Sequence, residues 1–486
     1  MTVTDPPYRE ITDARGRVYR VGESPQQILG VSRKWMVWLP WLAMMGISVF
    51  EYGYGAAEST LEDVHGWSLS QAFWLVAVWT VFQAGVAFPA GRLREQGKFS
   101  ARTAMFVGAG CVFLAFAVLG VTSSLLLNFL FYSVIGGIGS GLVYATCINM
   151  VGKWYPEKRG GKTGFVNGGF AYGAVPFIFV FSYLFDKDTF TLVLVLVGVY
   201  MLVVVALCAI LFKDPPKNWW PEEVDPLTYH TNPKSARSLE KNPPAVRQYT
   251  PMEAIKTGQL PLMWLSFAII GGVSLFGIGY QVDFAEEVGF GPFIAASSAG
   301  VLSIVNGVGR GVVGWVSDLI GRRQTLVLVL AIEGVAQFGL LWSGNAGNEV
   351  GFMFFAFVAG FGGGAFFPLF AALTPDYFGE NYNATNYGLV YSAKLVGGLF
   401  GLGAASHVVE VWGYDGAYTI AGVIAFVSAG TAAILRQPGR TRDGKVPASG
   451  LFDDTPGIET AEDGTAAAAP PGPTAPAGET TGRRES

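Results

Sequence analysis

Charge is scarce in this 486-residue chain. Asp, Glu, Lys and Arg make up 14% of it, where soluble domains average roughly 25%. That shortage excludes a solvated globular surface over most of the length. Cysteine is scarcer still. Cys111, Cys147 and Cys208 stand singly in apolar stretches, with neither a CxxC pair nor a zinc spacing, so they read as small packing residues. His65, His230 and His407 do not cluster, and no metal site follows from them. A basic excess is missing as well: the formal net charge of −4 argues against a nucleic-acid partner, which needs a basic surface. Gly160-Gly161-Lys162-Thr163 looks like a phosphate loop, but Pro156 stands where such a loop opens with Gly. No nucleophile–base pair or cofactor loop is legible, so neither an enzyme nor a bound cofactor is expected. The first thirty residues lack a short apolar core ahead of a small-residue cleavage site. The first apolar run, from Trp35, is therefore expected to be a retained span.

What is abundant is apolar or small. Hydrophobic residues make up 51% of the chain, with 65 glycines and 36 phenylalanines, a composition suited to lipid as solvent. A hydrocarbon core of ~30 Å takes ~20 helical residues to cross. Twelve runs meet that length, at about 35–56, 71–91, 101–121, 125–150, 162–185, 190–212, 260–282, 293–316, 323–343, 349–372, 386–408 and 415–435. The expected fold is an all-α membrane protein of twelve transmembrane helices in two six-helix halves, residues 35–212 and 259–435. Residues 1–34 form a polar tail, and 213–258, with Pro215, Pro216, Pro243 and Pro244, form a charged linker. The Ala/Pro/Gly/Thr-rich stretch 436–486 is expected to be disordered. Lys and Arg gather before the first run and in the loops after the second, fourth and eighth, while acids occupy the alternate loops. Only the loop after the tenth run, with Asp376 and Glu380, departs from this. Both termini are thus expected in the cytoplasm of a multi-pass plasma-membrane protein. The bilayer is its expected surrounding, and a monomer its expected state.

The halves repeat at a spacing of 223 residues: Gly91-Arg92-Leu93-Arg94-Glu95 answers Gly314-Trp315-Val316-Ser317-Asp318, and Trp154-Tyr155-Pro156-Glu157 answers Tyr377-Phe378-Gly379-Glu380. Such duplication suits a carrier whose halves rock about a central site. Arg310 lies eight residues before Asp318, which puts it ~12 Å into the membrane; Lys394, nine residues past Thr385, reaches ~14 Å. A charge at a helix centre costs ~2.5–3.5 kcal/mol on insertion scales, so two cations at one depth point to an anion site. The competing reading pairs each with a structural acid such as Glu51 or Glu333. Held ~8 Å apart at an effective dielectric of ~20, the cations would repel by ~2 kcal/mol. A dianion neutralises both, and exchange is then favoured over the return of an empty site. Glu51, near the outer end of the first run, is either a proton-coupling acid or a counterion to a base. Glu333 is expected to bond a neighbouring helix. Tyr391, one turn before Lys394, is placed to orient its ammonium. The Gly137/Gly141 and Gly360/Gly364 pairs permit close helix contact.

The run Gly314 to Arg323 resembles in full the loop signature of the major facilitator superfamily. Gly314 is expected to let two helices approach. Asp318, with Gly321, Arg322 and Arg323, is expected to latch one conformation across the two halves. The first copy, Gly91 to Lys98, carries Glu95 at the Asp position and is one residue short before Gly97. More closely, the chain resembles the oxalate:formate antiporter family, over residues 35–435. The matching pieces are Asn306-Gly307-Val308-Gly309-Arg310 and Tyr391-Ser392-Ala393-Lys394. To these are added Gly139 to Tyr144, Lys153 to Gly160, and Tyr52-Gly53-Tyr54 ahead of Gly66-Trp67-Ser68. The resemblance implies a secondary carrier of small mono- or dicarboxylates, an antiporter working by alternating access. It implies that Arg310 and Lys394 bind the carboxylates and that Tyr52 and Tyr144 help cage them. Glu51 is an acid added to that pattern. A proton-coupled monocarboxylate symporter with Glu51 titrating, and a carboxylate sensor built like a carrier, stay open as alternatives. Plain packing stays open for Tyr52, Tyr144 and Tyr391.

Overall fold

Apolar helices account for most of the described residues. The computed structural model describes residues 8–12, 18–95, 97–228, 241–243, 245–379 and 382–440. His230, Glu380 and the expected disorder beyond residue 440 lie outside the described residues. The first predicted span is broken: α1 (Trp35–Gly46) carries Pro40 inside it, and after Ile47 and Ser48 a short α2 (Val49–Tyr52) resumes. An α3 helix (Glu58–His65) lies between the first two spans. Among the described residues, ten helices are long and apolar enough to cross a membrane. They are α4 (Leu69–Gly91), α5 (Ala101–Val121), α6 (Leu125–Trp154), α7 (Gly161–Leu184), α8 (Phe190–Ala209), α9 (Gln259–Glu287), α10 (Pro292–Ile320), α11 (Arg322–Asn345), α12 (Glu349–Phe378) and α13 (Thr385–Ala433). At 49 residues α13 is long enough to cross twice. It breaks at Gly413, whose φ of 67° lies in the left-handed region that glycine enters at no steric cost.

Local chemistry explains where these helices begin. Ser68 opens α4 with a capping box, its hydroxyl accepting from the Gln71 N–H while the Gln71 side chain accepts from the Ser68 N–H. First-turn donors are thereby satisfied. Pro292 starts α10 at a position where its missing N–H costs nothing. Side chains such as Leu192, Leu196 and Leu207 on α8 point outward and are exposed, a surface that only lipid solvates well.

Glycine seams join the helices within each half. A Cβ on Gly137 or Gly141 of α6 would run into the α4 backbone at Trp79 and Gln83, and one on Gly360 or Gly364 of α12 into α10 at Leu302 and Asn306. The polar tail holds more structure than its composition suggests. Strands β1 (Arg9–Thr12) and β2 (Val18–Val21) pair antiparallel. Arg20 bonds the linker backbone at Asn218 and Trp220, and Tyr19 packs edge-on to Trp220 at 5.0 Å. Tail and linker therefore share one end of the bundle, the linker face.

The halves meet most closely toward the opposite, far face. Gly55 lies against the Gly279 carbonyl, Trp74 covers Gly403, and Phe73 stacks on Tyr280 at 3.8 Å. Near the centre, Gly168 of α7 and Gly307 of α10 cross backbone to backbone. Beyond that crossing a Cβ on Gly91, Gly311 or Gly314 would meet no heavy atom within 4 Å. The halves still touch toward the linker face, where a Cβ on Gly388 of α13 would lie 3.7 Å from the Phe88 ring of α4.

At the signature loop, a Cβ on Gly314 or Gly91 would meet no heavy atom within 4 Å, so no close helix approach depends on either glycine in this conformation. Asp318 pairs with Arg322 at 3.5 Å within its own half. Arg322 also pairs with Asp376 of α12, which gives one of the two acids that broke the charge pattern a partner. Gly321 makes the turn itself, at φ 103°, and Arg323 donates to the Leu435 carbonyl at 3.1 Å. The side chain of Glu95 lies outside the described residues.

Candidate functional site

Arg310 and Lys394 are both carried by the second half, and both reach into the first. Each is almost wholly buried, at 3% and 2% exposure. The Arg310 guanidinium donates to the Asn167 side-chain oxygen at 2.7 Å and the Asn167 backbone carbonyl at 3.3 Å. Its second nitrogen donates to Asn306 Oδ1 at 2.8 Å and to the Tyr52 hydroxyl at 3.0 Å. The two amide oxygens are shared with phenols: Tyr52 donates to Asn306 at 3.1 Å and Tyr144 to Asn167 at 3.0 Å. Phe367 lies under the guanidinium at 4.9 Å, a favourable face for a desolvated cation. All of these partners are neutral. Among the described residues no carboxylate pairs with Arg310, and its Nε has no hydrogen-bond partner.

Lys394 is held differently. Its ammonium donates to Glu51 Oε2 at 2.7 Å and to Gln83 Oε1 at 3.3 Å, with the Phe170 ring at 5.7 Å. This settles one sequence alternative: Glu51, not a vacant space, faces the lysine. The doubly positive empty site expected from the two cations is corrected accordingly, because one of the charges is balanced. Glu51 comes from α2, where the broken helix turns it inward; it joins the halves through a buried ion pair.

Aromatic rings fill the space between the two cations. Tyr52 and Tyr144 both stand edge-on to Phe170, at 5.9 and 5.3 Å. Tyr391 stacks on Tyr144 at 6.0 Å and lies 6.4 Å from Phe367. Tyr391 does not orient the ammonium, as its place one turn before Lys394 had suggested; the bonds of Lys394 go to Glu51 and Gln83. Glu333, expected to bond a neighbouring helix, bonds Gln337 of its own helix at 2.7 Å, in the room left by Gly362 and Gly363.

Gln83, Asn167, Asn306, Phe170 and Phe367 were not singled out from sequence as site residues. A signal was present for some. Gln83 and Asn306 are 223 residues apart, as are Tyr144 and Phe367; the first pair relates an acceptor of Lys394 to one of Arg310, and the second two rings beside Arg310. Cys111 is half-buried, and Cys147 and Cys208 are buried; all three are free thiols.

Two pseudo-equivalent helical halves around a buried polar centre are the build of a transmembrane carrier. The chain belongs to the Major Facilitator Superfamily, matching it over residues 40–351 and again over 262–470. It is therefore a multi-pass membrane transporter of small molecules. It is 24% identical over 387 residues to the oxalate:formate antiporter of Oxalobacter formigenes, a match covering 80% of this chain and 87% of that protein. Monocarboxylate transporter 13 of Bos taurus is 23% identical over 351 residues, covering 70% and 74%. In fold, the chain is similar to a D-xylose-proton symporter with a TM-score of 0.59 at 15% identity, over 84% of this chain and 99% of that one.

Proposed function

We propose that this chain carries small carboxylate anions across the plasma membrane by exchange of one anion for another, with Arg310 as the anchor. The observation that carries this reading is a buried guanidinium whose polar partners are all neutral. A cation desolvated this far and left unbalanced is costly, and a carboxylate accepting two parallel N–H bonds relieves the cost with matching geometry. The likeness to an oxalate:formate antiporter and to a monocarboxylate transporter points to the same substrate class.

Exchange follows from the charge left on the unloaded site. The halves rock past each other through the plane that holds Arg310, so an empty site drags an unbalanced cation through the crossing. A loaded site does not. Return with a second anion is then faster than empty return. With the linker face in the cytoplasm, the tight contacts of Gly55 with Gly279 and of Trp74 with Gly403 lie on the outer side. Proteoliposomes loaded with a carboxylate should take up labelled carboxylate by counterflow; fast efflux with no external anion would contradict exchange.

The Glu51–Lys394 pair favours a second reading, proton-coupled symport of a monocarboxylate, in which Glu51 takes the proton as substrate meets Lys394. Uptake into vesicles without internal anion, driven by an inward proton gradient, separates the two.

A further inference from the structure

We infer that Glu51 sets the charge of the substrate this site accepts, selecting monoanions over dianions. The inference rests on the carboxylate reading above and goes beyond it. Among the described residues the centre holds three charged side chains: Arg310, Lys394 and Glu51. Glu51 and Lys394 meet at 2.7 Å with 3% and 2% of their side chains exposed, so the pair is removed from the water that would otherwise screen it. Arg310 faces only amide, carbonyl, phenol and ring groups. One positive charge is left over.

A monocarboxylate bound to Arg310 brings the buried centre to neutrality. A dicarboxylate brings one negative charge too many, and its second carboxylate competes with Glu51 for the single ammonium. Like charges forced together in a desolvated site oppose binding strongly, and a site built against one partner is how specificity is commonly obtained. Gln83 strengthens the assignment. Its oxygen accepts from the same ammonium at 3.3 Å, so the lysine is held by the first half from two sides and is not free to swing toward a second carboxylate.

The test counts charges. Glu51→Gln keeps the shape and leaves two cations unbalanced. The double variant Glu51→Gln with Lys394→Gln returns the centre to one. Formate, acetate, oxalate and malonate are compared at neutral pH by counterflow in proteoliposomes and by thermal shift of the purified proteins. The wild type is expected to prefer the monocarboxylates. Glu51→Gln shifts the ratio toward the dicarboxylates by at least about tenfold, and the double variant shifts it back. An unchanged ratio in Glu51→Gln overturns the inference, as does a dicarboxylate preference in the double variant. In either case carboxylate transport by the wild type leaves the broader function standing. If no carboxylate is moved or bound by folded wild-type protein, that function falls and the inference with it. Should the single variant misfold, Glu51→Asp supplies the comparison: it keeps the charge and must keep the monocarboxylate preference.

Discussion

Gln83 and Asn306 occupy the same place in the two halves, 223 residues apart, and each gives its side-chain oxygen to one of the two buried cations. Asn306 accepts from Arg310 at 2.8 Å and Gln83 from Lys394 at 3.3 Å. The internal duplication therefore extends to the polar shell of the site. The two contacts differ in strength. Bonds to charged groups are worth ~1.5–3 kcal/mol and weaken toward the outer limit of distance. Asn306→Ala should accordingly lower thermal stability in detergent more than Gln83→Ala, because it also strips Tyr52 of its acceptor. An equal or larger loss in Gln83→Ala would count against this ordering.

Closure of the far face depends on Gly55. A Cβ there would collide with the Gly279 backbone across the interface between the halves, and a backbone cannot swing aside as a side chain can. Gly55→Val should reduce transport by about tenfold or more, with expression maintained, and leave a cysteine placed at Ser70 open to thiol reagents from the far face. Normal transport with unchanged labelling would show that the contact is not needed.

Much of this was legible in the sequence. Runs of ~20 apolar residues revealed the spans, and depth along a helix singled out Arg310 and Lys394. The Glu51–Lys394 contact was legible only as one of several pairings, since 343 positions separate the partners and hydropathy says nothing about which helices meet. The break after α1, which turns Glu51 inward, follows Gly46, one of 65 glycines and so too common a residue here to mark a single break. The β1–β2 hairpin escaped notice because its four-residue strands bury only a few side chains, Tyr19 and Val21 against Trp220. Alternation that short is indistinguishable from a polar tail.

Outside the spans, α3 presents a carboxyl that should be neutral at physiological pH. Burial pushes Glu58 up to about 10, with Asp283 and Glu62 nearby adding to the rise. In the unfolded chain the same group titrates near 4.5. A carboxyl raised in the folded state contributes stability that is whole below the lower value and is lost as pH climbs through the upper one. Glu58→Gln, permanently neutral, should therefore gain thermal stability relative to wild type as pH is raised from 5 to 9. A difference that stays constant across that window would mean that Glu58 is not protonated in the fold.

Arg310 has a requirement that charge alone does not meet. Its planar fork reaches Asn167, Asn306 and Tyr52 at once, and an ammonium cannot reproduce that span. Arg310→Lys should keep some binding of small carboxylates while losing about tenfold or more in exchange rate. Wild-type rates in this variant would reduce the role of the residue to its charge.

Everything turns on whether that unbalanced guanidinium is where substrate binds. The most direct measurement is counterflow of a labelled monocarboxylate in proteoliposomes reconstituted with wild-type protein or with Arg310→Gln, at matched protein content and verified folding. Robust exchange is expected in the first and a loss of at least about a hundredfold in the second, because a buried charge-assisted contact to substrate is removed. Exchange by Arg310→Gln at the wild-type rate would contradict substrate binding at Arg310.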